Sequence, residues 1–347
     1  MSERNIVSIL LGMVMAVVFA GCSVIDEDLS DCDEALKLDY DLHLVTNMSI
    51  ELQHEFDRLS DANLLKALQS YLAPVFTDYG HDLDLSFYDV EGDHARLHHE
   101  QHQMDANEMS YTLYIPRRQY AHLALANLEG NGVVTLEGSE FLQTSGLQQS
   151  RSDTIRTHKT GLFSARKKIL ADQEDTKRVD VHLYMINCAA GLVIDTSKAN
   201  LKDLKVYATG FATGFNIADS SFVFSAKPPV IITDKLDTGN AGQACFCTVN
   251  FPSPETPEKT RVVFETSEPF TTVDASQAIW QLIVDATLFD GTVTRSILGV
   301  RNSLRSGQLK ILHGNMDDKG ALTPVETNVA VSITLDWNQA GHHEVPL

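Results

Sequence analysis

Several of the ingredients from which functional sites are commonly built are scarce in this chain. It has five cysteines in 347 residues and no Cys-x-x-Cys pair, so zinc ribbons and thioredoxin-type redox centres fall away. Basic residues are few, 27 Lys and Arg against 47 Asp and Glu, and the formal net charge is −20. Nucleic acid is therefore not a partner, because phosphate recognition needs clustered cations. The same charge is repelled by an anionic lipid surface. No Gly-x-Gly-x-x-Gly, phosphate loop or Gly-x-Ser-x-Gly elbow occurs, which removes dinucleotide, nucleotide and α/β-hydrolase chemistry. With only two tryptophans, Trp280 and Trp337, a broad aromatic platform is hard to build. The one long apolar run, Ile6 to Phe19, is too short for a membrane span of roughly 20 residues and suits the core of a secretory leader.

The end of that run is specific. Val18-Phe19-Ala20-Gly21-Cys22 places small residues directly before a cysteine. It resembles the lipobox of bacterial lipoproteins, with Phe19 where Leu is usual. The resemblance implies cleavage after residue 21 and acyl chains, palmitate among them, on Cys22. Several chains on one residue meet the two-signal condition for stable attachment. The alternatives are an ordinary secretory leader or an uncleaved helix. Residues 22–35 then carry Asp26, Glu27, Asp28, Asp31, Asp33 and Glu34, a run of like charge that favours an extended tether. Acidic residues in this place also resemble the surface-export signal of Bacteroides-type lipoproteins. From Cys22 to Asp57 the only basic residue is Lys37, so an arginine-specific protease finds no site there.

With 43% hydrophobic residues, the remainder can bury substantial cores. Leu36, Leu38, Tyr40, Leu42 and Leu44 alternate with polar residues, the period of a half-buried strand. One helix is expected, with Ser60 as N-cap, Leu64, Leu65, Leu68 and Leu72 on one side, and Pro74 ending it. Short strands are expected next at 83–88, 111–115, 121–128 and 133–136. Between Gly146 and Arg178 the chain turns polar and basic, and a domain boundary is placed near its end. Strands resume at 179–185, 204–208, 222–224, 245–251 and 278–288. The last stretch is the clearest: Val325, Thr327, Val329, Val331, Ile333, Leu335 and Trp337 alternate without a break. Many short strands and one helix predict an all-β protein of two tandem β-sandwich domains, residues 36–178 and 179–347, behind a leader (1–21) and a tether (22–35).

Enzyme signals are weak, and no catalytic residue, metal or cofactor is assigned. His94, His98 and His102 would stack at four-residue intervals on a helix and could then hold a metal. The pattern Asp93-His94-Ala95-Arg96-Leu97 reads instead as strand and turn, with these histidines polar and exposed. Cys245 and Cys247, two apart on a strand, share a face and suit a core, while Cys32 and Cys188 could bridge; buried free thiols are the default. Trp280 and Trp337 fall on apolar faces and read as core residues. A surface glycan-binding protein is the second reading.

Several stretches together resemble the FimB-type (FimB/Mfa-type) fimbrial anchor lipoproteins of Bacteroides-type bacteria: Asp31-Cys32, Ala67 to Asp78, Asp82 to Asp89, Tyr120 to Asn127, and Leu183 to Cys188. Ala208 to Phe215, Val249 to Ser253 and Ser332 to Trp337 continue the likeness into the C-terminal half. It runs from Cys22 to about Asn338. The resemblance implies two transthyretin-like sandwiches on a lipid anchor in the outer membrane. It also implies a role in holding the base of a type V fimbrium, in its assembly and in limiting its length, with a stalk subunit (fimbrillin) as partner. The final strand, through Val325, Val329, Val331, Ile333, Leu335 and Trp337, is then the candidate contact with that subunit. The plainer alternative is a strand that closes its own sandwich. Asp153-Thr154-Ile155 resembles the O-glycosylation acceptor of the same bacteria.

Overall fold

The computed structural model describes residues 35–46, 61–75, 80–104, 110–170, 176–256, 278–325 and 329–336. The protein is all-β, with one α-helix among these residues. In chain order come β1 (Ala35–Val45), the helix α1 (Ala62–Leu72), β2 (Asp82–Asp89), β3 (Arg96–Gln103), β4 (Ser110–Pro116), β5 (Tyr120–Ala126), β6 (Val134–Glu137) and β7 (Gly146–Gln149). Next are β8 (Thr154–Arg156), β9 (Phe163–Ile169), β10 (Thr176–Met185), β11 (Cys188–Asp195), β12 (Leu201–Thr209), β13 (Gly214–Asn216) and β14 (Ser221–Val223). The series ends with β15 (Val230–Ile232), β16 (Asp234–Leu236), β17 (Gln243–Asn250), β18 (Trp280–Leu288), β19 (Val293–Val300), β20 (Leu309–Met316), β21 (Leu322–Pro324) and β22 (Val329–Asp336).

The period-two pattern at the start forms β1 as expected, with Leu36, Leu38, Tyr40 and Leu42 buried. It lies inside a seven-stranded sheet of order β3-β2-β5-β9-β10-β1-β4. β9 and β10 pair only at Phe163–Met185 and Ser164–Tyr184. At that corner the sheet folds over, so a leaf of four strands faces a leaf of three. Lys167 and Lys177 reach across the corner and donate to the carbonyls of Asp180 and Leu170, filling acceptor sites that the abandoned ladder would leave bare. The helix caps this core. Asp61, rather than the expected Ser60, is the N-cap: its Oδ1 accepts from the amides of Asn63 and Leu64 at 2.9 and 3.2 Å. Leu64, Leu68 and Leu72 bury the helix face, four residues apart.

The five-stranded sheet, β16-β17-β11-β20-β21, is buried on both sides. Ala189, Val193, Cys245, Cys247 and Val249 join the core beneath α1, and Tyr71 of the helix donates to Asp234 at 2.9 Å. Ala190, Leu192, Ala244 and Phe246 face the other way, against a six-stranded sheet of order β22-β19-β18-β12-β15-β8. Cys245 and Cys247 thus share a core-facing side, as their spacing predicts, and Cys188, Cys245 and Cys247 are free and buried. A four-stranded sheet, β14-β13-β7-β6, covers the outer side of β2 and β5 through Tyr88, Leu123, Leu125 and Phe215. The polar stretch 146–178 supplies β7, β8 and β9. Three of the four sheets therefore hold residues from both sides of residue 178, β10 itself running across it.

Three buried side chains lock these layers at their meeting point. His158 Nδ1 lies 2.8 Å from Asn187 Nδ2 and accepts from it. Its Nε2 lies 2.8 Å from the Gln149 side-chain amide, and turning that amide end for end lets Nε2–H donate to the otherwise unpaired Gln149 Oε1. Asn187 Oδ1 accepts from the amide of Leu162. Burial pushes the His158 imidazole down to about 3.

Candidate functional site

Cys22, Cys32 and Trp337 lie outside the described residues. The rest of the candidate contact strand is divided. β22 begins at Val329, not Val325, and pairs antiparallel with β19 from Val300–Val329 to Val293–Asp336. Val329 is buried in the core between the two C-terminal sheets. Val331, Ile333 and Leu335 follow in register opposite Leu298, Ser296 and Thr294. Val325 is 60% exposed and belongs with the other sheet: it follows β21, and its amide donates to the His313 carbonyl at 2.9 Å. The unbroken alternation is therefore shared between two sheets, because period two is satisfied by either. Among the described residues β22 forms one edge of the six-stranded sheet. An edge strand presents alternate N–H and C=O groups that can accept another chain's strand. Edge position was the property that the residue pattern could not reveal.

The histidine cluster forms on the strand β3, so the strand-and-turn expectation is borne out and the helical stack is not formed. Glu100 sits between two imidazoles: His98 Nε2 donates to Oε1 at 2.7 Å and His102 Nε2 to Oε2 at 2.8 Å. The rings hold opposite oxygens of one carboxylate and so do not converge on a point. His99 instead faces Asp84, at 2.8 Å, on the other side of the strand. His94 takes φ +57° in the preceding turn, its Nδ1 3.1 Å from the Asp89 carbonyl. Among the described residues no three His, Cys, Asp or Glu side chains gather around a cation position. The two histidine bonds hold the Glu100 carboxyl below its usual range against the opposing effect of burial. His102 also packs on Tyr111 of β4 at 4.7 Å, which closes the open side between the two leaves.

A cleft of about 570 Å³ runs between β3 and β6. Its polar lining includes Asp82, Asp84, Gln101, His102, Gln103 and Glu129, over an apolar floor of leucines and Val134. The carboxylates are already engaged. Asp82 Oδ1 accepts from the amides of Leu128 and Glu129, Asp84 accepts from His99 and Gln101, and Glu129 accepts from Gln103. Burial raises the Asp82 carboxyl above its ordinary value.

Trp280 is a core residue, as expected: it packs against Phe211 at 5.5 Å and donates from Nε1 to the Asn302 carbonyl. The exposed Tyr114 and Tyr184 stand opposite Lys37 and Val45 of β1, roughly 26 Å apart along the strand, and form no common platform. Thr154 pairs with Val230, and its hydroxyl is buried without a partner, out of reach of a glycosyl donor in the folded protein.

No protein-family model matches the chain, and no curated protein matches it. Solved structures do. A candidate adhesin from Bacteroides ovatus aligns at TM-score 0.51 and 10% identity, over 89% of this chain and 97% of its own, so the two share a fold. A candidate polysaccharide-binding protein from Bacteroides thetaiotaomicron aligns at TM-score 0.48 and 11% identity, over 88% and 99%. The fimbrial anchor protein Mfa2 of Porphyromonas gingivalis aligns at 0.44 and 9%, over 72% and 77%. At 10% identity the likeness to the B. ovatus structure shows a shared fold and nothing finer.

Proposed function

We propose that this protein is a non-enzymatic lipoprotein of the outer membrane, exposed at the cell surface, that anchors a fimbrium at its base and takes part in its assembly and length control. The observation that carries the reading is the sequence likeness running from Cys22 to about Asn338, together with the fold shared with the B. ovatus adhesin candidate. The chemistry is mechanical. Acyl chains on Cys22 hold the base, residues 23–35 give reach, and two transthyretin-like sandwich units, divided near residue 178 and laced by exchanged strands, resist pulling. The partner is a stalk subunit, docked along the edge of β22.

Replacement of Cys22 by Ala tests the anchor. The protein, and fimbriae with it, should move from the membrane pellet to the medium; retention in the pellet would count against lipid anchoring. Photo-crosslinking from position 336 on intact cells tests the contact, with a fimbrillin as the expected covalent neighbour. The cleft between β3 and β6 favours a second reading, surface glycan binding, because amides and carboxylates over an apolar floor suit sugar hydroxyls. Retardation on polysaccharide gels without fimbrillin capture would favour it.

A further inference from the structure

We propose that two parallel strand pairs, β1 with β10 and β11 with β20, act as shear clamps in series that carry tension from the N-terminus into the C-terminal sheets. The inference rests on the anchored reading, since only a tethered protein under load has use for them.

Among the described residues the long strands pair antiparallel, with two exceptions. β1 runs parallel to β10 over nine register positions, from Lys37–Thr176 to Val45–Tyr184. β11 runs parallel to β20 over seven, from Ala189–Leu309 to Asp195–Asn315. The remaining parallel pair, β8 with β15, spans three positions. β10 and β11 are separated only by Ile186 and Asn187, so one stretch of backbone belongs to both clamps.

Direction of pull decides how such a pair yields. Tension entering at the start of β1 draws that strand backwards, while the chain leaves β10 at its far end. Parallel neighbours loaded in this way slide along each other, and every ladder hydrogen bond between them is strained together. The same holds at the next step: β11 is drawn back through β10, and β20 is drawn forward toward β21 and β22. If the near ends of a pair were pulled apart instead, the bonds would open one by one, each resisting alone. Sliding β1 also drags Leu36, Leu38, Tyr40 and Leu42 through a packed core. On its other side β1 is held by β4 over a second ladder, Ala35–Pro116 to Asp41–Ser110. Asp41 further pairs with Arg178 across the parallel join.

Single-molecule force spectroscopy on residues 23–347, with Cys32→Ser, tests this with three handle pairs. Ala35 and Thr176 are exposed, and the buried Cys188, Cys245 and Cys247 take no handle. Ala35→Cys with a C-terminal handle shears both clamps. Ala35→Cys with Thr176→Cys peels the β1/β10 ladder from its adjoining ends. Thr176→Cys with a C-terminal handle loads β11/β20 without pulling on the start of β1. Urea midpoints check that all three proteins are folded. The first and third arrangements should rupture at several-fold higher force than the second. Equal force in the first two overturns the proposal, and a third value as low as the second overturns the β11/β20 clamp. The measurement does not involve lipid. High shear resistance in a protein whose Cys22→Ala form stays in the pellet would keep the clamps and refute the anchor.

Discussion

Acid should destabilise this protein through two buried histidines, and the size of the effect follows from their surroundings. His122 is 1% exposed, stacked on Phe87 at 4.3 Å with Tyr40 edge-on at 5.5 Å. Its Nδ1–H donates to the Ser86 carbonyl, so Nε2 is a bare, buried lone pair with no partner. Burial pushes His122 down to about 4 and His158 to about 3, from an ordinary 6.5. The unfolded chain therefore binds protons below pH 6.5 that the folded chain refuses. Stability is fully present above that pH and falls as the pH drops toward the folded values. At pH 5 each group costs about 2 kcal/mol, so the pair removes about 4 kcal/mol relative to pH 8. That is a large part of the 5–15 kcal/mol typical of a folded domain. Urea denaturation between pH 5 and 8 reads it directly. His158→Gln, which keeps an amide-sized polar group between Gln149 and Asn187, should lower stability at pH 8 yet shrink the fall to pH 5 by about 2 kcal/mol. If the variant's curve runs parallel to that of the wild type, His158 is not the buried neutral base described here.

Three further outcomes are expected. Gly210 takes φ +100°, and a Cβ there would lie 2.7 Å from the Trp280 Cα, so Gly210→Ala should cost at least about 2 kcal/mol in thermal or chemical denaturation. Asp61→Ala removes the acceptor for two helix amides and should cost about 1 kcal/mol by the same assay, with Asp61→Ser recovering most of it. Calorimetric titration with zinc should show no sub-micromolar binding, because His98 and His102 grip opposite oxygens of Glu100; tight binding would mean that the two rings can swing to one side.

Much of the strand content is legible along the chain. Alternation of apolar and polar residues marks β1, β4, β10 and β12 within a few residues, since one buried face imposes a period of two wherever a strand has a wet side. The helix shows equally in its four-residue leucine spacing, although its cap falls on Asp61, because either of two neighbouring polar residues can bind the first amides. The polar 146–178 stretch conceals its strands: β8 has three residues, and β9 carries Arg166, Lys167 and Lys168 on the sheet corner, where charged side chains replace a ladder.

The residue order alone determined that this chain is all-β, acidic, poor in enzyme motifs and similar to fimbrial anchor lipoproteins. Tertiary structure decided which strands lie at edges, that Val325 and Val329 join different sheets, and that the β3 histidines split around a carboxylate instead of converging. It also decided that the long joins β1/β10 and β11/β20 are parallel. Periodicity records only that a residue has a buried neighbour. Which strand supplies that neighbour, and in which direction it runs, depends on contacts between segments far apart in sequence.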